Sequence, residues 1–444
     1  MAASIPSGGR PARFLFAMFQ GSGNIPLILP IAAELVARGH DVRVLAGPGV
    51  RRSRLPIGAR FTERIAAAGA SLVPFHEPER HPFDGLPPRR GLVRSWTPHP
   101  YENEFQRARV ALWSPIWSRN LADELRREPA DVVVADFELF GALAAAEAAG
   151  VPSAALMHNV PWRPTPGVPP RGPGFLRARG PAGRVRDALG NMIIQLVWRR
   201  EALPAHNRAR RGLGLRPLRS PFGQYDAATR ALVLTSRAFD FAAERPAPNV
   251  RYVGTPFDDA GVPPTTWEPP RSGDDAGPLL LVSLSTDNQG QAAILHRVLT
   301  AVASLRIRVV VTLGPSLDAS EFGAPPNVTL EAFVPHAAVL PHVTAMVTQC
   351  GLGTTMKALA HGVPLVCIPI LGDQPDNAAR VVARGAGVRL KPDAPPEQIR
   401  VAIQRILHEP SFRDGARRLG TAITSQDGAR AAADELESLL KSPA

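Results

Sequence analysis

Chemically useful residues are densest between Val343 and Asn377. The run Gln349-Cys350-Gly351-Leu352-Gly353-Thr354 follows an apolar stretch, Gly362-Val363-Pro364 precedes another, and Asp373-Gln374 comes next, with Asn377 one helical turn on. A glycine-bearing loop that opens a helix presents unpaired backbone N–H groups at the positive end of the helix dipole. Gly351, Gly353 and Thr354 therefore suit a diphosphate held without a metal. The same glycines also serve ordinary strand–helix packing, where small residues are needed for contact alone. Asp373 and Gln374 offer acceptor oxygens and an amide donor, the set that vicinal hydroxyls require; Asp373 alone reads equally as a helix cap. A second set is scattered through the first half: Asn24 at the end of the turn Gly21-Ser22-Gly23, Asp136 at the end of an apolar run, and His158 after the next one. A carboxylate at the mouth of an apolar strand end is placed to accept a proton, which makes Asp136 the leading base candidate, with capping of the following helix as the plain alternative. His158 is either a second base or a structural histidine. His40 and His361, each beside a glycine at a helix end, read as partners of helix C-termini.

These residues need elements to position them. Arg13 to Phe19 reads as a strand, and Leu29, Ile31, Ala32, Leu35 and Val36 recur at helical spacing until Arg38-Gly39-His40, after which Val42 to Ala46 is a strand again. That order implies a parallel pair with a right-handed crossover, the start of an open doubly wound sheet. Asp131 to Ala135 is a further strand, leading through Asp136 into the helix Phe140 to Ala149. From Pro161 to Pro204 the alternation stops; one amphipathic helix carries Leu189, Met192, Ile193, Leu196 and Val197 on a stripe. Alternation resumes at Ala231 to Thr235, and strands follow at Leu279 to Leu284, Arg308 to Leu313, Val328 to Glu331, Ala345 to Thr348 and Leu365 to Ile368. The expected organisation is a first unit over 1–253 with a basic insertion at about 158–217, a Pro- and Gly-rich linker at 254–277, a second unit over 278–425, and a final helix within 426–444 that crosses back.

At 444 residues the chain exceeds what one core usually supports, in keeping with two domains. A hydrophobic share of 45% and a charged share of 20% exclude the disordered and membrane-spanning classes. Two cysteines are too few for a disulfide framework, and the polar start lacks the apolar core of a secretory leader, so a cytoplasmic setting is expected. The net charge of +12 invites a polyanionic partner, but twelve Arg against one Asp and one Glu lie between His158 and Pro217, leaving the remainder nearly neutral. No nucleic-acid motif accompanies that segment, so nucleic acid is excluded as a partner.

Taken together, the elements QCGLGT, GVP and DQPDNA (Asp373 to Ala378), with RFLFAMFQGSGNIPLILPIAAELVARGHDVRVL, DVVVADFELFGALAAAEAAGVP, SLST at Ser283 to Thr286 and FVPHAAVLP at Phe333 to Pro341, resemble the family-1 nucleotide-sugar glycosyltransferases, in their bacterial natural-product branch. The resemblance implies the α/β GT-B fold, two Rossmann-like domains facing across a cleft. It implies a UDP- or dTDP-sugar as co-substrate, no further cofactor, no metal, and a small apolar acceptor. By it, Phe333 and Val334 would flank the nucleobase, Ser285 and Thr286 would approach the diphosphate with Gln349, Gly351, Gly353 and Thr354, and Asp373, Gln374 and Asn377 would serve the sugar.

Three positions depart from the family pattern. Gln349 replaces a histidine at the diphosphate and brings no positive charge. Lys357 stands where many members carry a glutamate for the ribose, which favours a thymidine donor. Asn24 replaces the catalytic histidine and is no base near neutral pH, so the role passes to Asp136, which matches the acidic partner of that histidine, or to His158. A carboxylate base would also suit an acidic phenol or a nucleophilic carbon, so oxygen- and carbon-glycosides both remain open. Trp96, Trp113, Trp117, Trp162 and Trp198 are expected either to wall an aromatic acceptor pocket or to pack the core. The arginine-rich insertion would also rest an amphipathic helix on anionic lipid, giving access to a lipid acceptor. Two other classes compete: a glycosyltransferase-like auxiliary subunit without catalysis, which Asn24 and Gln349 permit, and a nicotinamide oxidoreductase, for which the first turn lacks its third glycine.

Overall fold

The computed structural model describes residues 10–19, 23–47, 59–78, 108–161, 163–258, 267–270, 277–284 and 289–441. The first unit holds seven strands: β1 Arg13–Phe19, β2 Asp41–Gly47, β3 Ser71–Val73, β4 Val132–Asp136, β5 Ser153–Met157, β6 Arg230–Val233 and β7 Val250–Tyr252. The second holds six: β8 Leu279–Ser283, β9 Arg308–Thr312, β10 Val328–Glu331, β11 Ala345–Thr348, β12 Leu365–Cys367 and β13 Gly387–Arg389. All are parallel, in the orders β3-β2-β1-β4-β5-β6-β7 and β10-β9-β8-β11-β12-β13. Each sheet is doubly wound, as the strand–helix alternation requires. The strands read as unbroken apolar runs because helices cover both faces. Along β1, Leu15 and Ala17 face one core while Phe14, Phe16 and Met18 face the other. Along β8, Leu280 and Val282 divide in the same way from Leu279 and Leu281.

Strand order reverses between β1 and β4 and again between β8 and β11. In a parallel sheet such a switch leaves a crevice beyond the carboxyl ends of the strands, because the two following helices leave for opposite faces. Asn24 follows β1 and Asp136 ends β4, the strands that flank the first switch; Ser283 and Gln349–Thr354 stand at the second.

The units are tied together at several points. The final helix, Gly428–Ser438, is capped by Asp427 and packs Ala432, Ala433 and Leu436 into the first unit's core. Arg38 holds it through Asp434 at 2.7 Å and Glu437 at 2.8 Å, and His40 Nε2 meets Glu437 at 2.8 Å. The buried pair Arg380–Asp240, at 2.6 Å, joins the helix Gln374–Ala383 to the segment after β6. The expected linker falls largely on residues outside the described ones, as do Trp96 and Trp162.

The structure chooses between the two tryptophan roles and corrects one member of the amphipathic stripe. Trp113, Trp117 and Trp198 take the second of their two expected roles: all three are fully buried in the core of the first unit, where the helices of the insertion close over the sheet. Of the stripe read from the sequence on the helix Pro181–Glu201, Leu189, Met192, Ile193 and Leu196 are exposed, but Val197 does not belong with them: it is buried on the opposite face with Gly190, Ile194 and Trp198. No helix among the described residues is long and apolar enough to cross a membrane.

Candidate active site

Asp136 ends β4 with its side chain wholly removed from solvent. A buried carboxylate must be compensated, and three donors do so. Oδ1 accepts the Glu138 N–H at 3.0 Å, while Oδ2 accepts Asn24 Nδ2 at 2.9 Å and faces His158 Nε2 at 3.0 Å. Asn24 Nδ2 also donates to the Phe19 carbonyl at 3.0 Å, which fixes the amide against the end of β1. The three residues assigned to the chemistry from the sequence, far apart in the chain, thus share one oxygen atom. Burial of the His158 ring opposes its protonation, but the Asp136 charge and hydrogen bond, with smaller contributions from Glu138 and Asp373, outweigh it and hold its pKa above the ordinary value. Phe137 packs edge-on against the ring, 4.9 Å between centroids, and limits its rotation. With Nε2 committed to Asp136, Nδ1 is the nitrogen left for other chemistry.

In the second unit the helix Leu352–Ala360 begins at Gly351 with no side-chain cap, so the N–H groups of its first turn have no partner within the helix. Cys350, just before it, has φ 68°, the left-handed region that a residue with a side chain seldom occupies. The strained turn is held from two sides: Asn377 Nδ2 donates to the Cys350 carbonyl at 2.9 Å, and the Cys350 N–H donates to Thr348 Oγ1 at 3.3 Å. Neither loop glycine is required by its backbone angles. A Cβ added at Gly353 would meet no atom within 4 Å, and one at Gly351 only Gln349 Nε2 at 3.6 Å. Glycines that the fold does not need leave room for something that approaches the backbone closely. Thr348 Oγ1 donates to Gln349 Oε1 at 3.3 Å, which leaves the amide N–H as the group Gln349 offers.

The expected sugar-binding residues are not equivalent. Asn377 is fully buried; besides Cys350 it donates to Asp373 Oδ2 at 2.8 Å, so it orients the carboxylate and does not itself reach the cleft. Gln374 Oε1 is spent on the N–H groups of Ile370 at 2.8 Å and Leu371 at 2.9 Å, and its Nε2 donates to Gln289 at 2.9 Å. It shapes the loop more than it reads a ligand. Phe333 is 75% exposed, an unusual state for a large ring and one suited to stacking, whereas the Val334 side chain is buried in the core and has only its backbone to give. Ser283 Oγ lies 3.2 Å from His336 Nε2; burial and then the Lys357 charge lower the His336 pKa to about 4. Ser285 and Thr286 lie outside the described residues.

Sequence reasoning missed the residues that join the halves. With its amide nitrogen turned toward the second unit, Asn159 donates to Asp373 Oδ2 at 2.8 Å and to the His158 carbonyl at 3.2 Å. Asp376, inside DQPDNA, accepts the N–H groups of Gly172 at 2.8 Å and Gly174 at 3.0 Å, so the insertion is clamped onto the Gln374–Ala383 helix. A Cβ at Gly174 would fall 2.4 Å from the Pro375 carbonyl, and its φ is +66°; here glycine is obligatory. Adjacency to His158 and to Asp373 was the available signal for Asn159 and Asp376, but each reads from sequence as an ordinary loop or helix residue.

Residues 296–439 match the model of the erythromycin biosynthesis protein CIII-like C-terminal domain. The chain is 31% identical over 451 residues to 4'-demethylrebeccamycin synthase of Lentzea aerocolonigenes, covering 97% of this chain and 100% of that one. It is 28% identical to demethyllactenocin mycarosyltransferase of Streptomyces fradiae, over 98% of this chain and 88% of the other. Among solved structures, the kitacinnamycin glycosyltransferase superposes with a TM-score of 0.73 at 23% identity, covering 97% of this chain and 99% of its own. The calicheamicin glycosyltransferase does so with a TM-score of 0.71 at 25% identity, covering 98% and 100%. The shared architecture is the GT-B fold.

Proposed function

Because the chain belongs to the natural-product branch of the family-1 nucleotide-sugar glycosyltransferases, and is therefore a glycosyltransferase, we propose that it inverts the anomeric centre in one displacement, with His158 as base. The donor is a UDP- or dTDP-sugar and the acceptor a small apolar natural product, in line with the named relatives. The observation that carries this reading is the Asp136 oxygen shared by Asn24 and His158, at 2.9 and 3.0 Å, with Asn159 reaching from the next position to Asp373.

The chemistry follows from these positions. The acceptor hydroxyl oxygen forms its bond to the anomeric carbon as the bond from that carbon to the diphosphate oxygen breaks. The hydroxyl proton passes to His158 Nδ1, and Asp136 stabilises the imidazolium and fixes the tautomer. The electron pair leaves with the nucleoside diphosphate, whose charge is met by the N–H groups of the Leu352–Ala360 helix and by the amide of Gln349. Asp373 takes sugar hydroxyls, and Phe333 stacks on the base. Asp136 thereby moves from proton acceptor to orienting partner: its side chain is wholly buried, and both oxygens are already engaged.

Asp136→Asn tests the reading. With its amide oxygen kept on the Glu138 N–H, the new amide nitrogen faces His158 Nε2 and donates to it. That moves the ring proton to Nδ1 and removes the base. Losing the correct tautomer costs about 10³–10⁴ in kcat, while donor binding measured by calorimetry stays unchanged. Turnover within tenfold of wild type would remove the pair from the mechanism; loss of donor binding together with turnover would assign Asp136 to architecture alone.

A further inference from the structure

The helix Pro181–Glu201 is apolar on two faces, and only one is used by the fold. Ile194, Val197 and Trp198 are buried, while Val185, Leu189, Met192, Ile193 and Leu196 are between 37% and 59% exposed. Their spacing places them on one stripe. Five neighbouring exposed aliphatic side chains on a single ridge exceed the scattered apolar exposure of an ordinary surface. The charges around the stripe are of one sign. Arg184 and Arg186 flank Val185 on its two sides, and Arg199 and Arg200 stand at the other end, one turn beyond Leu196. The acidic residues of the helix are turned away: Asp187 is buried and held by Arg186 at 2.6 Å, and Glu201 is half-buried beside Arg200. Arg186 is thereby spent on Asp187, the Leu176 carbonyl and the Phe175 ring, so the exposed face presents aliphatic carbon with Arg184 at one end, Arg199 and Arg200 at the other, and no exposed carboxylate of the helix.

We infer that this face docks on the surface of an anionic lipid bilayer. The 21-residue helix forms a straight ridge of about 30 Å. Such a ridge lies along a plane, with aliphatic side chains entering the acyl boundary and arginines meeting lipid phosphates. A second copy of the chain fits the same face poorly. A two-fold contact between two such helices sets Arg184 and Arg186 against Arg199 and Arg200 in the antiparallel arrangement, and each arginine pair against its own equivalent in the parallel one. The inference does not depend on the proposed transfer mechanism, since no residue of the stripe belongs to the site.

The test is co-sedimentation of the full chain with phosphatidylcholine vesicles, with and without phosphatidylglycerol. Binding is expected only to the anionic vesicles, falling steeply as salt is raised. Exchanging Arg184→Gln and Arg199→Gln should weaken it by roughly fivefold per charge, and Leu189→Glu with Leu196→Glu should abolish it. All these positions are exposed, so the variants should fold and retain sugar transfer to a dissolved acceptor, which separates this result from a failure of the proposed function. Three outcomes would overturn the inference: no sedimentation with anionic vesicles at low salt, undiminished binding by the double Glu variant, or a wild-type dimer in sedimentation velocity that the double Glu variant dissolves, which would give the stripe to a second copy.

Discussion

Gly353→Ala separates a glycine kept for folding from one kept for a ligand. Gly353 is the second residue of the Leu352–Ala360 helix, its backbone is helical, and a methyl group there meets no atom within 4 Å. In a helix alanine is favoured over glycine by roughly 0.5–1 kcal/mol, mostly through the entropy of the unfolded chain. The variant should therefore unfold about 1–4 °C higher. Its donor site should suffer. A diphosphate hydrogen-bonded to the first-turn N–H groups lies within about 3 Å of the backbone, in the space the new methyl takes. Losing one hydrogen bond to a charged group costs about 1.5–3 kcal/mol, or roughly tenfold to a hundredfold in affinity. Scanning calorimetry reads the first quantity, and titration with UDP and with dTDP reads the second. A variant that is more stable and binds both nucleotides as well as wild type would refute the claim that this helix start grips a diphosphate. A variant that is less stable would show that the glycine serves packing after all.

The clamp between insertion and donor helix gives a second expectation. Asp376→Asn turns an amide N–H toward the backbone of Gly172 or Gly174, and losing one such bond should raise the donor KM about fivefold with little change in kcat; steady-state kinetics at saturating acceptor decides it. A third concerns acid stability. Burial lowers the His206 pKa to about 3, against an unfolded value near 6.5. The unfolded chain therefore takes a proton that the folded chain refuses, and stability present above pH 6.5 is lost as pH falls toward 3. Between pH 6.5 and 4.5 this amounts to roughly 2–3 kcal/mol. His206→Asn, which can keep the Ser114 hydrogen bond, should flatten the acid limb of a urea-unfolding series by that amount. An unchanged slope would mean that His206 is protonated in the folded state. His158 acts in the opposite sense, because its pKa is raised: its contribution is full below pH 6.5 and disappears as pH rises through the folded value.

The architecture was largely legible because long apolar runs at β1, β4, β8 and β9 and well-marked helices such as Ile25–Ala37 alternate with few interruptions. What escaped were the short edge-side strands β3, β7 and β13, which are only partly buried and show no apolar run, whereas the equally short β12 is wholly buried and was read. In the Pro181–Glu201 helix the sequence showed one apolar stripe where the structure has two faces, and it placed Val197 on the exposed one, because both faces carry aliphatic residues and spacing alone does not say which is covered. The glycines of the proposed donor loop stand out in the sequence, and the fold itself requires neither Gly351 nor Gly353. The division of labour among Asp373, Gln374 and Asn377 was not legible there, because only coordinates show that Gln374 spends its oxygen on its own loop and Asn377 on Cys350. For the same reason sequence ranked Asp136 above His158: nothing in the chain says that both Asp136 oxygens are already engaged.

The replacement of the family histidine by Asn24 changes more than the identity of the base. Asn24 immediately precedes the helix after β1, and its amide is held by Phe19 and Asp136, so it supplies a donor to the carboxylate. The second position on Asp136 Oδ2 belongs to His158, which follows β5, and the residue after it, Asn159, is bonded to Asp373 in the other domain. Two consecutive residues thereby touch Asp136 and Asp373, the carboxylates proposed to orient the base and to bind the sugar. With His158 as the proposed base, the backbone that carries it is bonded to the second unit, so separating the domains enough to break the Asn159–Asp373 contact also displaces His158 from Asp373. Base placement and domain closure then become one event. An enzyme with its base on the helix after β1 has no such link, since that helix is fixed to the first unit's core and to the chain's last helix, through Arg38 and His40, irrespective of the donor side.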